Sequence, residues 1–371
     1  MAKAYAIVSS CSGQIKVEGL QDYRPIGAMS FLGRYRIIDF PMSNLSNSGI
    51  NRIQVYVSQN PRSLAEHLGN GVQYNINPKR GKLQILFNQD SKINDIYNTD
   101  VAAYSEYEDI IERMHQEYVI IVPSHMIYTE DYSKLLDQHV KSGADVTMLY
   151  HKVDNAKEAC FGCNVLEFNR QGGVEMIQRN DGTENERNIF METYIMKNEL
   201  FLQLLREARE YSSVFTLTAI INAKKDVLDV RGVEHKGYFA AITDFKSFYN
   251  ANLELLNYQK SAELFAADWP INTVTTDSAP VHYYKGSEIH SSMVANGCEI
   301  EGEIVGSVIG RGVTVQKGAF VKNCVIMGHC TIGEDVHIEN QVVDKWAKIL
   351  HTKNIIAPAS NPGYIKRNDV I

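Results

Sequence analysis

The sequence predicts two parts, an α/β domain with a Rossmann-like mixed sheet and, after it, a parallel β-helix. In the first part, short aliphatic runs alternate with amphipathic helical patterns up to about residue 250, as they do in βαβ units. In the second part, from about residue 289, aliphatic side chains recur every six residues and glycines are frequent. A period of six residues is typical of a parallel β-helix, in which each flat side contributes one short strand.

The α/β prediction rests on five aliphatic runs that have the length of strands: AYAIVSS, RIQVYVS, YVIIVPS, DVTMLYHKV and CNVLEFN. Amphipathic segments lie between them, including PRSLAEHLGNG and DYSKLLDQHVKSG. The second of these segments ends at Gly143, which suits a helix C-cap. We therefore expect a mixed or mostly parallel sheet with helices on both faces, over residues 1–250.

Residues 251–288 form the predicted connector, because ELFAADWPINTVTTDSAPVHYYKGSEI contains two prolines, several threonines and no sustained period. The predicted β-helix covers residues 289–371. A β-sandwich is the alternative, but its turns come every ~8–12 residues. The inward positions expected from the six-residue spacing are Val308, Thr314, Phe320, Ile326, Ile332 and Ile338.

The composition excludes several classes of function. The chain of 371 residues has 44% hydrophobic residues, a net charge of −7 and no run of Lys and Arg, so we expect no nucleic-acid partner. No apolar run approaches the length of a membrane span, and the apolar run in MAKAYAIVSS is too short for a secretory signal. We therefore expect no membrane partner and a cytoplasmic location.

The six cysteines predict reduced thiols, since they are scattered along a chain with no secretory signal. Cys160 and Cys163 form a single CxxC pair. Zinc sites of this type need a second pair, and a redox site of the thioredoxin type needs a βαβ context that this segment lacks. Ordinary buried or half-buried thiols are therefore the prediction.

The segment from Gly33 to Ile50, GRYRIIDFPMSNLSNSGI, closely resembles the GGKYRIIDFxLSNCxNSGI element of ADP-glucose pyrophosphorylases. PSHMIYTEDY resembles the family's GDHIYKMDY, and GYFAAITDFKSFYNANLEL resembles its GYWRDVGTIxxYYxANLDL. The Phe161-Gly162 pair and the WPI ahead of the hexapeptide repeat are further points of similarity. The resemblance covers essentially the whole chain, and it implies a nucleotidyltransferase domain followed by a left-handed β-helix.

The resemblance implies a reaction in which the phosphate of glucose 1-phosphate attacks the α-phosphate of ATP, giving ADP-glucose and pyrophosphate. The family binds Mg²⁺ through two aspartates, and the motif alignment places Ser124 and Ala241 at their positions. A hydroxyl and a methyl group are not the charged oxygen ligands that Mg²⁺ prefers. We therefore expect no catalytic residue, no metal and no cofactor in this chain, and Mg²⁺ only in a catalytic partner.

The phosphate-binding loop of the family is also changed. Its GGxGxRL motif aligns with Cys11–Val17, so the motif glycines become residues with side chains, and Lys16 keeps a positive charge where the family has arginine. A two-residue gap would instead put Ser9-Ser10 over the glycine pair. The family's SMGIY becomes Phe190–Tyr194, which replaces its Ser and Gly by Phe190 and Glu192 where glucose should lie.

Several further positions of the substrate pocket keep polar residues, and the resemblance makes them candidates for a remnant pocket. For Arg36 and Asp39 the alternative is a buried ion pair that supports the sheet. For His125 we expect a packed histidine rather than a base. The remnant-pocket candidates are Lys16, Arg24, Arg36, Asp39, Asn44, Arg179 and Tyr238.

These departures resemble the non-catalytic, regulatory paralogue of ADP-glucose pyrophosphorylase found in Gram-positive glycogen operons. Such a chain is expected to join the catalytic subunit in a heterotetramer, to form homo-oligomers, and to respond to a sugar-phosphate effector. A second hypothesis is a weakly active adenylyltransferase that uses Glu130, Asp131 or Asp244 as metal ligands. A third is a module that senses sugar phosphates or nucleotides, and a fourth is an acyltransferase that uses His329 or His337 of the hexapeptide repeat.

Overall fold

The computed structural model describes residues 3–10, 15–57, 60–77, 79, 81–87, 99–212 and 214–371. The strands of the α/β part are β1 (Ala4–Ser9), β2 (Ser30–Phe31), β3 (Tyr35–Arg36), β4 (Arg52–Val57), β5 (Lys82–Phe87), β6 (Tyr118–Pro123), β7 (Met126–Tyr128), β8 (Val146–Val153), β9 (Asn164–Phe168), β10 (Val174–Arg179), β11 (Arg187–Lys197), β12 (Val230–Glu234) and β13 (Phe239–Ala241). The helices are α1 (Asp39–Asn47), α2 (Arg62–Leu68), α3 (Asp100–Ser105), α4 (Glu108–Glu112), α5 (Tyr132–Ser142), α6 (Asn198–Tyr211), α7 (Leu217–Ala223), α8 (Phe245–Glu254) and α9 (Tyr258–Leu264). Short 3₁₀ helices cover Leu20–Asp22, Ile26–Ala28 and Val72–Tyr74.

The main sheet of the α/β part has nine strands among the described residues. Its order is β10-β9-β11-β6-β1-β4-β5, and β8 pairs with both β11 and β12. Strands β1, β4, β5 and β6 run parallel, whereas β11 runs antiparallel to β6 and β8. The predicted mixed sheet is confirmed, and the five predicted strands correspond to β1, β4, β6, β8 and β9.

Two hydrophobic cores cover the two faces of this sheet, because successive side chains of a strand point to opposite faces. In β6, Ile120 and Val122 belong to the first core, and Val119 and Ile121 belong to the second. Every residue of β6 is buried, as expected for a central strand covered on both faces. The parallel pairing aligns Pro123 with Ser9, so the carboxyl ends of β6 and β1 lie side by side.

Helix α5 begins and ends where its local sequence predicts. The Asp131 side chain caps the first turn by accepting hydrogen bonds from the backbone N–H groups of Ser133 and Lys134. The helix ends at Gly143, which has a left-handed φ of 69° and donates its N–H to the carbonyl oxygen of His139. The C-cap predicted at Gly143 is therefore confirmed, since glycine adopts this conformation without steric cost.

The C-terminal part is a parallel β-helix with three faces, each a five-stranded parallel sheet. The first strand of the β-helix, β14, begins at His282 and pairs with β17 of the next coil, so the β-helix begins before the predicted residue 289. Helix α8 ends at Glu254, just after the predicted end of the α/β domain at residue 250. The β-helix strands are β14 (His282–Tyr283), β15 (Glu288–His290), β16 (Met293–Val294), β17 (Glu299–Ile300), β18 (Glu303–Val305), β19 (Val308–Ile309), β20 (Thr314–Val315), β21 (Phe320–Lys322), β22 (Val325–Ile326), β23 (Thr331–Ile332), β24 (His337–Glu339), β25 (Gln341–Val343), β26 (Lys348–Ile349), β27 (Asn354–Ile356) and β28 (Gly363–Ile365).

The six-residue period is present, but its phase changes once within the predicted series. Ile326, Ile332 and Ile338 point into the β-helix core, as predicted. Before them, the inward positions are Ile309, Val315 and Val321, so the assignment of Val308, Thr314 and Phe320 to the interior is wrong by one residue. The cause is the corner between β21 and β22, where the inward residues Val321 and Ile326 are five residues apart, whereas the other inward residues of the predicted series are six apart.

One outer face of the β-helix packs against the α/β part. Val308, Val325 and Val342, from successive coils, lie in the same buried cluster as Phe31 and Phe248. This cluster explains why Val308 is buried although it points away from the β-helix interior. We call this contact the seam between the two parts.

A buried ion pair lies within the seam. Arg24 Nη2 donates to both carboxylate oxygens of Asp344, at 2.6 and 2.5 Å, and the two side chains are 4% and 0% exposed. The Tyr364 hydroxyl also donates to Asp344, at 3.0 Å.

Among the described residues, no helix is both long and apolar enough to cross a membrane.

Replacing Arg24 by methionine is expected to destabilise the protein by about 3–5 kcal/mol, because Asp344 would remain buried without its cation. Replacing both residues, Arg24→Met with Asp344→Leu, should cost less than the single change, since no unpaired charge remains. The control is Arg62→Ala, which removes an exposed pair with Glu66 and should change stability by less than about 1 kcal/mol. Urea unfolding measures all three; equal effects of Arg24→Met and Arg62→Ala would contradict the assignment.

Candidate functional site

Ser124 lies directly after β6, at the carboxyl end of the parallel strands, where ligands bind in sheets of this type. Its backbone N–H donates to the carbonyl oxygen of Ser9 at 2.9 Å. Its hydroxyl donates to the Ser10 hydroxyl at 3.0 Å, and the Ser124 side chain is buried. A hydroxyl pair therefore occupies the place at this strand end where the family alignment puts an aspartate.

Ala241, the second position that the alignment identifies, comes close to Ser124 in the structure. Strand β13 pairs antiparallel with β7, with Ala241 opposite Met126, and the N–H of Ile242 donates to the carbonyl oxygen of His125 at 2.9 Å. The fold thus brings the two alignment positions together. Neither side chain offers a charged oxygen, so these residues do not fit the Mg²⁺ ion that the family resemblance implies.

The carboxylates considered as substitute ligands have structural partners elsewhere. Asp131 caps α5 and pairs with Lys134, and Asp244 caps α8 through a capping box. Glu130 lies 3.0 Å from the Nδ1 atom of His235. Among the described residues, the one group of three potential metal ligands is Glu288, His290 and Glu303, on the outside of the β-helix.

The hexapeptide histidines considered for acyl transfer are also engaged in the β-helix. His329 stacks on Trp346, with ring centroids 4.2 Å apart and an interplanar angle of 11°. The Nε2 atom of His337 lies 2.7 Å from Glu339 Oε1. These contacts give both histidines a role in packing the β-helix.

His125 and Glu192 form a polar pair beside Ser124. The Nε2 atom of His125 lies 3.9 Å from Glu192 Oε2, and this buried nitrogen has no hydrogen-bond partner among the described residues. Burial lowers the pKa of His125 to about 4 and raises the pKa of Glu192 to about 7. The imidazole is therefore neutral near pH 7, in agreement with a packed histidine rather than a poised base.

Glu192 has a strained backbone. It lies where the pairing of β11 with β8 shifts register between Phe190 and Thr193, and its φ is 45°. The left-handed conformation costs a residue with a side chain roughly 1–2 kcal/mol of conformational energy, whereas it costs glycine little. The resemblance puts a glycine of the family at this position, so the backbone keeps a shape that suits glycine while the side chain is an acid.

Phe190 is placed differently from the sequence-based expectation. Its ring is fully buried in the second core, edge-on to Tyr194 at a centroid distance of 4.9 Å. Met191 belongs to the first core, on the opposite face of the sheet. Phe190 therefore fills a core layer, and Glu192 is the changed residue whose polar group lies next to His125.

Four remnant-pocket candidates are held in bonds that support the fold. Asn44 donates to the carbonyl oxygen of Tyr128 and accepts from Trp269 Nε1, both at 2.9 Å. The hydroxyl of Tyr238 donates to Glu254 at 2.5 Å. Arg24 lies in the seam, and Arg179 is exposed, with Nε donating to the carbonyl oxygen of Gly162 at 3.2 Å.

The structure brings Arg36 and Asp39 together, but not as a side-chain ion pair. Buried Asp39 accepts hydrogen bonds from the Arg36 backbone N–H at 2.8 Å and from Tyr74 at 2.6 Å, and it lies 2.6 Å from His67 Nε2. Arg36 Nη1 instead donates to the carbonyl oxygen of Ser63 at 2.5 Å. Lys16 is exposed, and Cys11–Gln14 of the predicted phosphate loop lie outside the described residues.

A cleft between the α/β part and the β-helix was not found by sequence reasoning. It has a volume of about 490 Å³ and contains Arg34 and Arg311 together with Thr275, Thr276 and Asn296. Burial, and then the nearby charge of Arg34, lowers the pKa of Arg311. The buried Nε of Arg311 has no partner among the described residues. Because Arg34 and Arg311 are distant in sequence, no local motif indicates this pair.

Comparisons with known proteins agree with the fold. The chain matches the family profile described as "Nucleotidyl transferase" over residues 22–257 and the one described as "GlmU-like, C-terminal hexapeptide" over residues 280–357. The second match, together with the three parallel faces, confirms the predicted left-handed β-helix of hexapeptide repeats.

Relatives include the "Glucose-1-phosphate adenylyltransferase" of Clostridium perfringens (strain 13 / Type A), which is 31% identical over 312 residues, or 82% of this chain and 78% of the relative. The protein of the same name from Clostridioides difficile (strain 630) is 30% identical, over 81% of this chain and 78% of the relative. The protein of the same name from Bacillus anthracis is 28% identical, over 90% of this chain and 89% of the relative.

The raised pKa of Glu192 predicts a pH-dependent stability. The folded protein holds this proton up to about pH 7, whereas the unfolded carboxyl titrates near 4.5, so stability is lost as the pH rises between these values. Glu192→Gln cannot ionise, and it should be more stable than the wild type by about 1–3 kcal/mol at pH 8 and close to it at pH 4.5.

The measurement is urea unfolding of both proteins across this pH range. Because both proteins contain His125, the difference in their free energies of unfolding at each pH removes the contribution of that histidine. Glu210→Gln, at an exposed position, is the control and should show no such trend. A stability difference between Glu192→Gln and the wild type that is constant with pH would contradict the raised pKa of Glu192.

Proposed function

The chain belongs to the ADP-glucose pyrophosphorylase (glucose-1-phosphate adenylyltransferase) family, and from this premise we propose that it is a regulatory, catalytically degenerate subunit in glycogen biosynthesis. It acts in the cytoplasm, beside a catalytic subunit that makes ADP-glucose and pyrophosphate from ATP and glucose 1-phosphate. The observation that carries the proposal is that Ser124, directly after β6, and Ala241, opposite Met126 in the neighbouring strand pair, both lack a carboxylate.

The loss of metal ligands argues against turnover by this chain alone. Nucleotidyl transfer concentrates negative charge on the phosphates. A bound divalent ion stabilises this charge in the transition state by several kcal/mol. Each 1.36 kcal/mol is a factor of about ten in rate. Without both ligands, turnover is expected to fall by a factor on the order of a thousand or more.

The intact framework supports a role in assembly. The buried polar residues that this chain shares with the family motif, such as Asp39 and Asn44, have their hydrogen bonds satisfied, and the seam with the β-helix is closed by Arg24 and Asp344. A chain selected only to lose activity would not need this framework. The protein therefore keeps the shape of a family subunit, which a heterotetramer with the catalytic chain requires.

Regulation requires that this chain contact the active and inactive states of its partner differently. A difference of roughly 1–3 kcal/mol in binding free energy is typical of such coupling. Association through the β-helix fits the proposal, because a short β-helix exposes apolar end coils. Exposed Ile356 and Val370 lie in or near the last coil, and the same surface serves for homo-oligomers when no partner is present.

The cleft with Arg34 and Arg311 favours a second function for the same chain, the binding of a sugar-phosphate effector. Two guanidinium groups repel one another unless an anion lies between them, and Arg311 keeps an unpaired buried N–H. Thr275, Thr276 and Asn296 add groups that can bond to sugar hydroxyls. Because the cleft lies between the two parts of the chain, an anion bound there would affect their contact.

The first test is pyrophosphate release by this chain alone, by a catalytic adenylyltransferase alone, and by the co-expressed complex. We expect background turnover from this chain and a complex with higher activity, or sharper activation, than the catalytic chain alone. Robust magnesium-dependent turnover by this chain alone would favour the weakly active adenylyltransferase instead. A complex with kinetics identical to those of the catalytic chain would contradict the regulatory role.

The second test is isothermal titration with a hexose bisphosphate. We expect Arg34→Gln and Arg311→Gln each to weaken binding about tenfold or more, because each removes a charge-assisted hydrogen bond of about 1.5–3 kcal/mol. Arg170→Gln, at an exposed position on the β9–β10 connection, is the matched control and should bind as the wild type does. Equal affinity in all four proteins would rule out the cleft as the effector site.

A further inference from the structure

The CxxC segment carries an inference independent of the proposed function. Cys160 and Cys163 are at the two ends of a tight turn, in which the backbone N–H of Cys163 donates to the carbonyl oxygen of Cys160 at 3.1 Å. Cys160 and Gly162 both have left-handed φ values, 56° and 78°. This turn brings two residues three positions apart side by side, which a disulfide between neighbouring cysteines requires.

The turn is fixed by Asn180, which lies after β10. The Asn180 side chain donates to the carbonyl oxygen of Ala156 at 2.9 Å and to that of Cys160 at 3.0 Å. Its backbone N–H donates to the carbonyl oxygen of Cys163 at 2.7 Å, and its carbonyl oxygen accepts from Gly162 at 3.1 Å. Neither cysteine can therefore move away from the other without breaking this set of bonds.

The two thiols also differ from the other cysteines that the structure describes. Cys298, Cys324 and Cys330 are buried in the β-helix, and each donates its thiol to a backbone carbonyl oxygen. Burial raises the pKa of Cys324 and of Cys330 to about 12. These three thiols are therefore inert packing groups, because the thiolate is the reactive form.

Cys160 and Cys163 interact with each other instead. The neighbouring Cys163 thiol lowers the pKa of Cys160, whereas the Cys160 thiol, together with burial, raises the pKa of Cys163. Cys160 is half-buried, whereas Cys163 is buried. An accessible sulfur with thiolate character next to a buried resolving thiol is the arrangement found in redox-active dithiols.

We propose that Cys160 and Cys163 form a redox-active dithiol that exchanges with low-molecular-weight disulfides such as oxidised glutathione. The Cys160 thiolate attacks one sulfur of the glutathione disulfide, whose S–S bond breaks and releases one glutathione thiol. Cys163 then loses its proton and attacks Cys160 Sγ, which releases the second glutathione. The two protein thiols are oxidised to a disulfide, and their protons end on the two glutathione molecules.

The test uses the full chain, treated with an excess of oxidised glutathione, alkylated and mapped by mass spectrometry. The peptide that spans residues 160–163 should lose two hydrogens, take up no alkyl group and recover both thiols with dithiothreitol. Peptides with Cys298, Cys324 and Cys330 should be alkylated only after denaturation, before and after oxidation alike. Double alkylation of the 160–163 peptide after glutathione treatment would overturn the proposal, and this measurement needs no variant.

Two variants separate the roles of the thiols. Cys163→Ser should stop at a mixed disulfide with glutathione on Cys160, because the resolving thiol is missing. Cys160→Ser should leave Cys163 unmodified, because Cys163 is buried. Circular dichroism checks that both variants are folded, and Cys298→Ser is the control that should form the Cys160–Cys163 disulfide as the wild type does. A mixed disulfide on Cys163 in folded Cys160→Ser would contradict the assigned order of attack.

Discussion

The seam between the α/β part and the β-helix joins the two parts of the chain through one buried cluster. Arg24 and Asp344 meet there in a buried ion pair inside an apolar cluster, so neither charge can be exposed or removed without cost. The pair links the α/β part to the coil of the β-helix that contains β25. The Arg34–Arg311 cleft follows from the same contact, because its two arginines come from opposite sides of the seam.

Three of the changes relative to the family motifs, at Ser124, Ala241 and Glu192, alter the charge of the region that follows β6. Ser124, directly after β6, and Ala241, in β13, are small, buried side chains without a charge, where the family resemblance implies aspartates. Glu192 is the reverse case, since it adds a strained acid next to an uncharged imidazole. Glycine would adopt the same backbone conformation at this position without strain.

The elements of both parts could be predicted from the sequence because their signals are local. Aliphatic runs indicated β1, β4 and β6, and Gly143 indicated the end of α5. The corner after Val321 is one residue shorter than a six-residue step, and this shifts the inward positions by one. The sequence did not indicate the shift, because the six-residue spacing continues unchanged on either side of the corner. The partners of Arg24 and Arg311 depend on packing between distant segments, so a motif alignment assigned Arg24 to a pocket and did not indicate Arg311 at all.

The proposed function requires that this chain lack the metal site of its family. Electron paramagnetic resonance of Mn²⁺, which substitutes for Mg²⁺, tests it directly when ATP and glucose 1-phosphate are present. We expect the wild type to give only the spectrum of Mn²⁺ bound to ATP in solution, whereas Ser124→Asp with Ala241→Asp should give a protein-bound signal. A protein-bound Mn²⁺ signal from the wild type, unchanged in the double variant, would show that the chain keeps a metal site.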